Sequence, residues 1–154
     1  MSKKVAVIGI GNTLRRDDGI GIIILESLLK LYHRGGIDYL NFGTASFDLL
    51  HRIKNYDAVL LIDGINANLT IGELKIFEPG NAEYDLTNSI GSTHELNLKD
   101  IFELSGNLGL KTKVYVAGIQ VKDTSFGEGL SDALNNQKEE VIKKISAFID
   151  KSLI

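Results

Sequence analysis

The chain has no cysteine. That excludes disulfides, thiolate metal sites and a cysteine nucleophile, although it does not fix the compartment. It has no apolar run near the ~20 residues of a membrane span. Its formal net charge of -3 gives no electrostatic reason to expect nucleic acid or an anionic membrane as partner. The start, Met1-Ser2-Lys3-Lys4, lacks the apolar core and small-residue cleavage site of a signal peptide, so a cytoplasmic location is expected. Several catalytic signatures are missing too. There is no H-E-x-x-H for a resident zinc, no G-K-[ST] for a phosphate loop and no G-x-S-x-G nucleophile elbow.

What remains is 154 residues, 44% hydrophobic and 24% charged. This is an ordinary globular composition and one domain, spanning 1–154. The organising stretch is Val5 to Gly21, VAVIGIGNTLRRDDGIG. A wholly apolar run suits a strand covered on both faces. A glycine turn and two adjacent aspartates follow, then a long apolar helix, about Asp18 to His33, stopped by Gly35-Gly36. Further strands are expected at 37–43, 58–64, 73–78 and 113–120, with a short helix at about 46–54. The strict alternation of 73–78 marks an edge strand, and its short connection from the third strand predicts an antiparallel run. A polar stretch, 79–93, precedes a helix with Leu98, Ile101 and Phe102 on one face. A second polar loop, 121–129, precedes a C-terminal helix carrying Leu134, Val141, Ile142, Ile145, Phe148 and Ile149. Strand–helix alternation predicts one α/β domain, a mostly parallel sheet with helices on both faces.

If the first and third strands are parallel neighbours, their carboxyl ends share the edge where ligands bind in open α/β sheets. Asp17 and Asp18 follow one, Asp63 ends the other, and His94 in the long loop could return to that rim. Two carboxylates and an imidazole suit zinc, nickel, manganese or ferrous iron better than calcium. Each residue also has a plainer reading. Asp17 or Asp18 could cap the first helix. Asp63-Gly64 could be a turn, and Ser92-x-x-Glu95 has the form of a capping box around His94. His33 and His51 sit near basic residues at helix ends, where the dipole accounts for them. Gly9-x-Gly11 raises a dinucleotide reading, but Leu14 stands at the third glycine position, strand 2 lacks the ribose-binding acid, and two aspartates would repel a pyrophosphate.

Taken together, Gly9 to Gly21, Asp63-Gly64, Ser92-Thr93-His94, Gly118-Ile119-Gln120 and Phe126-Gly127-Glu128-Gly129-Leu130-Ser131 resemble, in order, the hydrogenase maturation protease family. The resemblance implies an α/β/α sandwich around a twisted, mostly parallel five-stranded sheet. It implies a metal-dependent, aspartyl-type endopeptidase that removes the C-terminal extension of a [NiFe] hydrogenase large-subunit precursor after nickel insertion. Asp18, Asp63 and His94 correspond to the nickel-binding positions, and some members carry glutamate where Asp18 stands. The nickel is expected to arrive in the precursor, with other divalent metals able to substitute. Asp17 is a candidate for orienting the metal-binding side chains from behind, or for general base. Val121 stands where many members have proline. A monomer is expected, and loops 79–93 and 121–129 are expected to be flexible enough to clamp a peptide tail. Two other classes stay open: a nickel-sensing assembly chaperone without peptidase activity, and a nucleotide-binding enzyme using the glycine loop.

Overall fold

The structure, a computed structural model, describes residues 2–44, 47–78 and 110–154. The 79–93 stretch, the helix expected around Leu98 to Phe102, and His94 lie outside them. Five strands form one sheet in the order β2-β1-β3-β5-β4. These are β1 (Val5–Ile10), β2 (Ile37–Gly43), β3 (Ala58–Ile65), β4 (Leu74–Phe77) and β5 (Lys113–Gln120). The first three and β5 are parallel, and β4 is antiparallel to β5.

Burial explains the order. All six residues of β1 are buried, as are the first six of β3 and the last five of β5. Such continuous apolar strands need cover on both faces and belong inside the sheet. β2 and β4 are only partly buried and take the edges. The side chains divide by parity. Val5, Val7, Leu60, Ile62 and Ala117 pack with α1 (Ile20–Leu31) and the C-terminal helices. Ala6, Ile8, Ile10, Val59, Leu61 and Val116 pack with Leu49, Leu50 and Ile53 of α2 (Phe47–Ile53). Helices therefore cover both faces, giving the three-layer α/β/α arrangement. Among the described residues, no helix is long and apolar enough to cross a membrane.

Four local expectations change. The first helix does not begin at Asp18. A 3-10 turn, Arg16–Gly19, intervenes and α1 starts at Ile20. Neither aspartate is the N-cap residue of α1, which is Gly19. β4 is antiparallel as expected, but its partner is β5, which lies between it and β3. The connection after β3 wraps the end of β5 to allow this. Gln120 Oε1 accepts from the N–H groups of Ala67 and Leu69, and the Gln120 main chain bonds Gly72 and Glu73. The C-terminal helix is broken into α3 (Asp132–Asn135), α4 (Lys138–Phe148) and a π-helical turn, Ile149–Leu153. Asn135 and Asn136, both poor helix formers, stand at the first break.

Candidate active site at the carboxyl edge of the sheet

β1 and β3 pair in parallel with Gly9 opposite Ile62, so Asp63 lies one step beyond, at the carboxyl edge. Asp63 faces Gly118 of β5. The 3-10 turn that carries Asp17 and Asp18 folds onto this end of β3. A Cβ on Gly64 would lie 3.5 Å from the Asp17 carbonyl oxygen and 3.3 Å from Ile20 Cγ2. The structure thus brings Asp18 and Asp63 to one rim. They are 5% and 4% exposed. Burying carboxylates this far is costly unless something offsets the charge.

The glycines of the first loop serve the turn. A Cβ on Gly11 would stand 2.1 Å from the Asp18 carbonyl oxygen, and one on Gly9 2.7 Å from that of Gly21. The Asn12 N–H, which a phosphate would need, donates instead to Asp18 Oδ2 at 3.0 Å. With that N–H engaged and a carboxylate at the turn, the loop offers a pyrophosphate repulsion in place of a donor, which counts against the dinucleotide reading.

Asp17 is fully buried and does something the sequence reading missed. Its Oδ2 accepts from the N–H groups of Lys122 and Asp123 at 2.9 and 3.0 Å and from Ser131 Oγ at 2.8 Å. Its Oδ1 accepts from Ser131 N–H at 2.6 Å. A carboxylate offers about four acceptor positions, and four donors meet this one. Its place is that of a brace on loop 121–131.

That loop, expected to be flexible, is laced to the first one. Arg16 N–H donates to the Gly127 carbonyl, Gly127 N–H to that of Leu14, and Asp17 N–H to that of Asp123, all at 2.9–3.0 Å. Arg15 Nε donates to the Thr124 carbonyl, and its guanidinium lies 5.2 Å from the centre of the Phe126 ring. Arg16 takes a left-handed conformation, φ 45°, costing about 1–2 kcal/mol, which the lacing offsets. Asp123 is held below the usual carboxylate range, chiefly by the Ser125 hydroxyl and N–H, with Arg16 and Lys122 adding. Val121 N–H donates to the Ile65 carbonyl at 3.0 Å, a bond that proline could not make. That bond ties the start of the loop to β3.

Two oxygen donors on one nearly buried rim fit a divalent cation, though they do not complete a site. Among the described residues there is no group of three His, Cys, Asp or Glu that could hold one. The third expected ligand, His94, lies outside those residues.

Comparison with known proteins agrees with the fold. The sequence profile of a family described as hydrogenase maturation protease matches residues 22–147. The hydrogenase 2 maturation protease of Escherichia coli K12 is 26% identical over 152 residues, covering 97% of this chain and 92% of that protein. The E. coli hydrogenase maturating endopeptidase HybD superposes with a TM-score of 0.83 at 25% identity, over 97% and 93% of the two chains. The [NiFe] hydrogenase maturation protease HycI of Thermococcus kodakarensis gives a TM-score of 0.74, also at 25% identity, over 97% and 94%.

Proposed function

Since this chain belongs to the hydrogenase maturation protease family, we propose that it removes a C-terminal extension from a [NiFe] hydrogenase large-subunit precursor once nickel has been inserted. The observation that carries the reading is the shared rim. Parallel pairing of β1 with β3 sets the Asp18 turn against the end that carries Asp63. In this reading Asp18, Asp63 and His94 recognise nickel that the precursor brings, so the metal belongs to the substrate. Bound there, it supplies Lewis-acid polarisation of a nearby carbonyl.

The chain's own part is positional and electrostatic. Nearly buried carboxylates attract a cation more strongly than exposed ones, because the surrounding dielectric is low. Asp17 lies beside them with its carboxylate engaged by four donors from residues 122, 123 and 131, so the reading gives it a holding role and no proton transfer. Hydrolysis adds water across the scissile amide. The carbonyl carbon gains the hydroxyl, the C–N bond breaks, and the departing amine takes a proton. The reading includes a cytoplasmic location and a monomeric protein.

The test is incubation with nickel-loaded and nickel-free precursor, followed by mass spectrometry of the precursor's C-terminus. Shortening of the loaded form only is expected. Asp18→Ala and Asp63→Ala should each lower the cleavage rate by at least about 100-fold, since even groups that merely orient metal ligands cost 10–100-fold. Equal cutting of the nickel-free precursor would remove the metal-recognition reading. Loaded precursor that is bound but left intact would favour the chaperone.

A further inference from the structure

We propose that Asp17 is a positioning residue for precursor cleavage: its carboxylate fastens loop 121–131 to the turn that carries Asp18, so that one wall of the peptide cleft is pre-formed. The inference rests on the protease reading above and adds a residue and a role to it.

Three observations support it. The Asp17 carboxylate is fully buried and meets four donors, all from residues 122, 123 and 131. The fold therefore commits a buried carboxyl group wholly to one loop, and removing its oxygens would leave those donors without a partner. Ser131 Oγ donates to Asp17 and also accepts from Leu134 N–H, which couples the start of α3 to the same carboxylate. Finally, Asp17 adjoins Asp18 in the 3-10 turn, while its carbonyl oxygen lies against Gly64, next to Asp63. Any shift of loop 121–131 relative to the acidic rim has to break this junction. A binding wall that is already ordered spares the substrate the cost of ordering it, so loosening the wall weakens binding more than it slows the chemistry.

The experiment compares Asp17→Asn, Asp17→Ala, Ser131→Ala and Ser131→Thr on nickel-loaded precursor. Asparagine keeps one acceptor oxygen but turns an amide N–H toward a donor, alanine removes every acceptor, and Ser131→Thr retains the hydroxyl. KM should rise about tenfold in Asp17→Asn and further in Asp17→Ala, with kcat changed less than about threefold. Ser131→Ala should fall between wild type and Asp17→Asn, and Ser131→Thr should restore the wild-type KM. Nickel affinity, measured by calorimetry on the protein alone, should stay the same. Amide exchange at residues 122, 123 and 131 should accelerate while the sheet is unchanged. The proposal is overturned if Asp17→Asn and Ser131→Ala leave KM within twofold of wild type. A collapse of kcat at constant KM also overturns it, because that places Asp17 in the chemistry. If Asp17→Ala does not fold, the other three variants decide. A wild-type protein that leaves loaded precursor intact defeats the protease reading instead, and precursor binding and amide exchange then read the brace by themselves.

Discussion

Gly11 and Gly21 have the least room of the described glycines. A Cβ at Gly11 would meet the Asp18 carbonyl at 2.1 Å, and one at Gly21 would meet the carbonyls of Ile10 and Ile62 at 2.3 Å each. Backbone cannot step aside as a flexible side chain can. Gly21→Ala must lift α1 from the sheet, and overpacking of this kind costs about 1–3 kcal/mol or more. A clear drop in the urea midpoint is expected. Gly11→Ala acts on the Asp18 turn directly, so cleavage should fall about 10²-fold; an unchanged rate would show that the turn tolerates the displacement. The motif was legible in the sequence as a tight turn before two acids. That Asp17 and Asp18 have different tasks was not legible. Adjacent identical residues carry the same local signal, and only the donors around each one, 105 to 114 positions away for Asp17, separate them.

At the scale of elements, the connections carry most of what the pattern of residues did not show. Arg34, just past α1, donates through Nη2 to Asp150 Oδ2 at 2.8 Å and to the Ser146 hydroxyl and carbonyl. This fastens α1 to the C-terminal helical turn. The guanidinium holds the Asp150 carboxyl below its usual range. A carboxyl with a depressed folded-state pKa stabilises above its unfolded value, near 3.9, and that contribution is lost as pH falls through the folded value. The gap in urea midpoint between wild type and Asp150→Asn should therefore be present at pH 7 and shrink below about pH 4. A gap independent of pH would mean that the pair adds nothing. β4 teaches a related lesson. Its alternation marked it as an edge strand, and its short connection marked its direction. Its partner depended on β5, whose buried run had to enter beside β3 while loop 66–73 passed around its end. Propensity and spacing say nothing of such an insertion, because pairing is decided by which long-range burial is greatest.

In the whole molecule, the two apolar clusters lie on opposite faces of one sheet and share β1, β3 and β5. Neither face can be exposed without unpairing strands that the other face needs. Ile24→Ala on one side and Ile53→Ala on the other should each cost about 2–5 kcal/mol. Both should shift a single transition, with far-ultraviolet and tyrosine near-ultraviolet circular dichroism coinciding. Two separate transitions would contradict this coupling. The five strands were readable from local pattern. Buried strands, edge strands, helix stops and the acids at strand ends are written in nearest-neighbour chemistry, which a linear chain displays fully. The strand order, the wrapping of β5 and the clasp between residues 14–17 and 122–131 arise from contacts between distant segments. Their free energy depends on which surfaces can be buried together, and that comparison exists only once the chain has closed on itself.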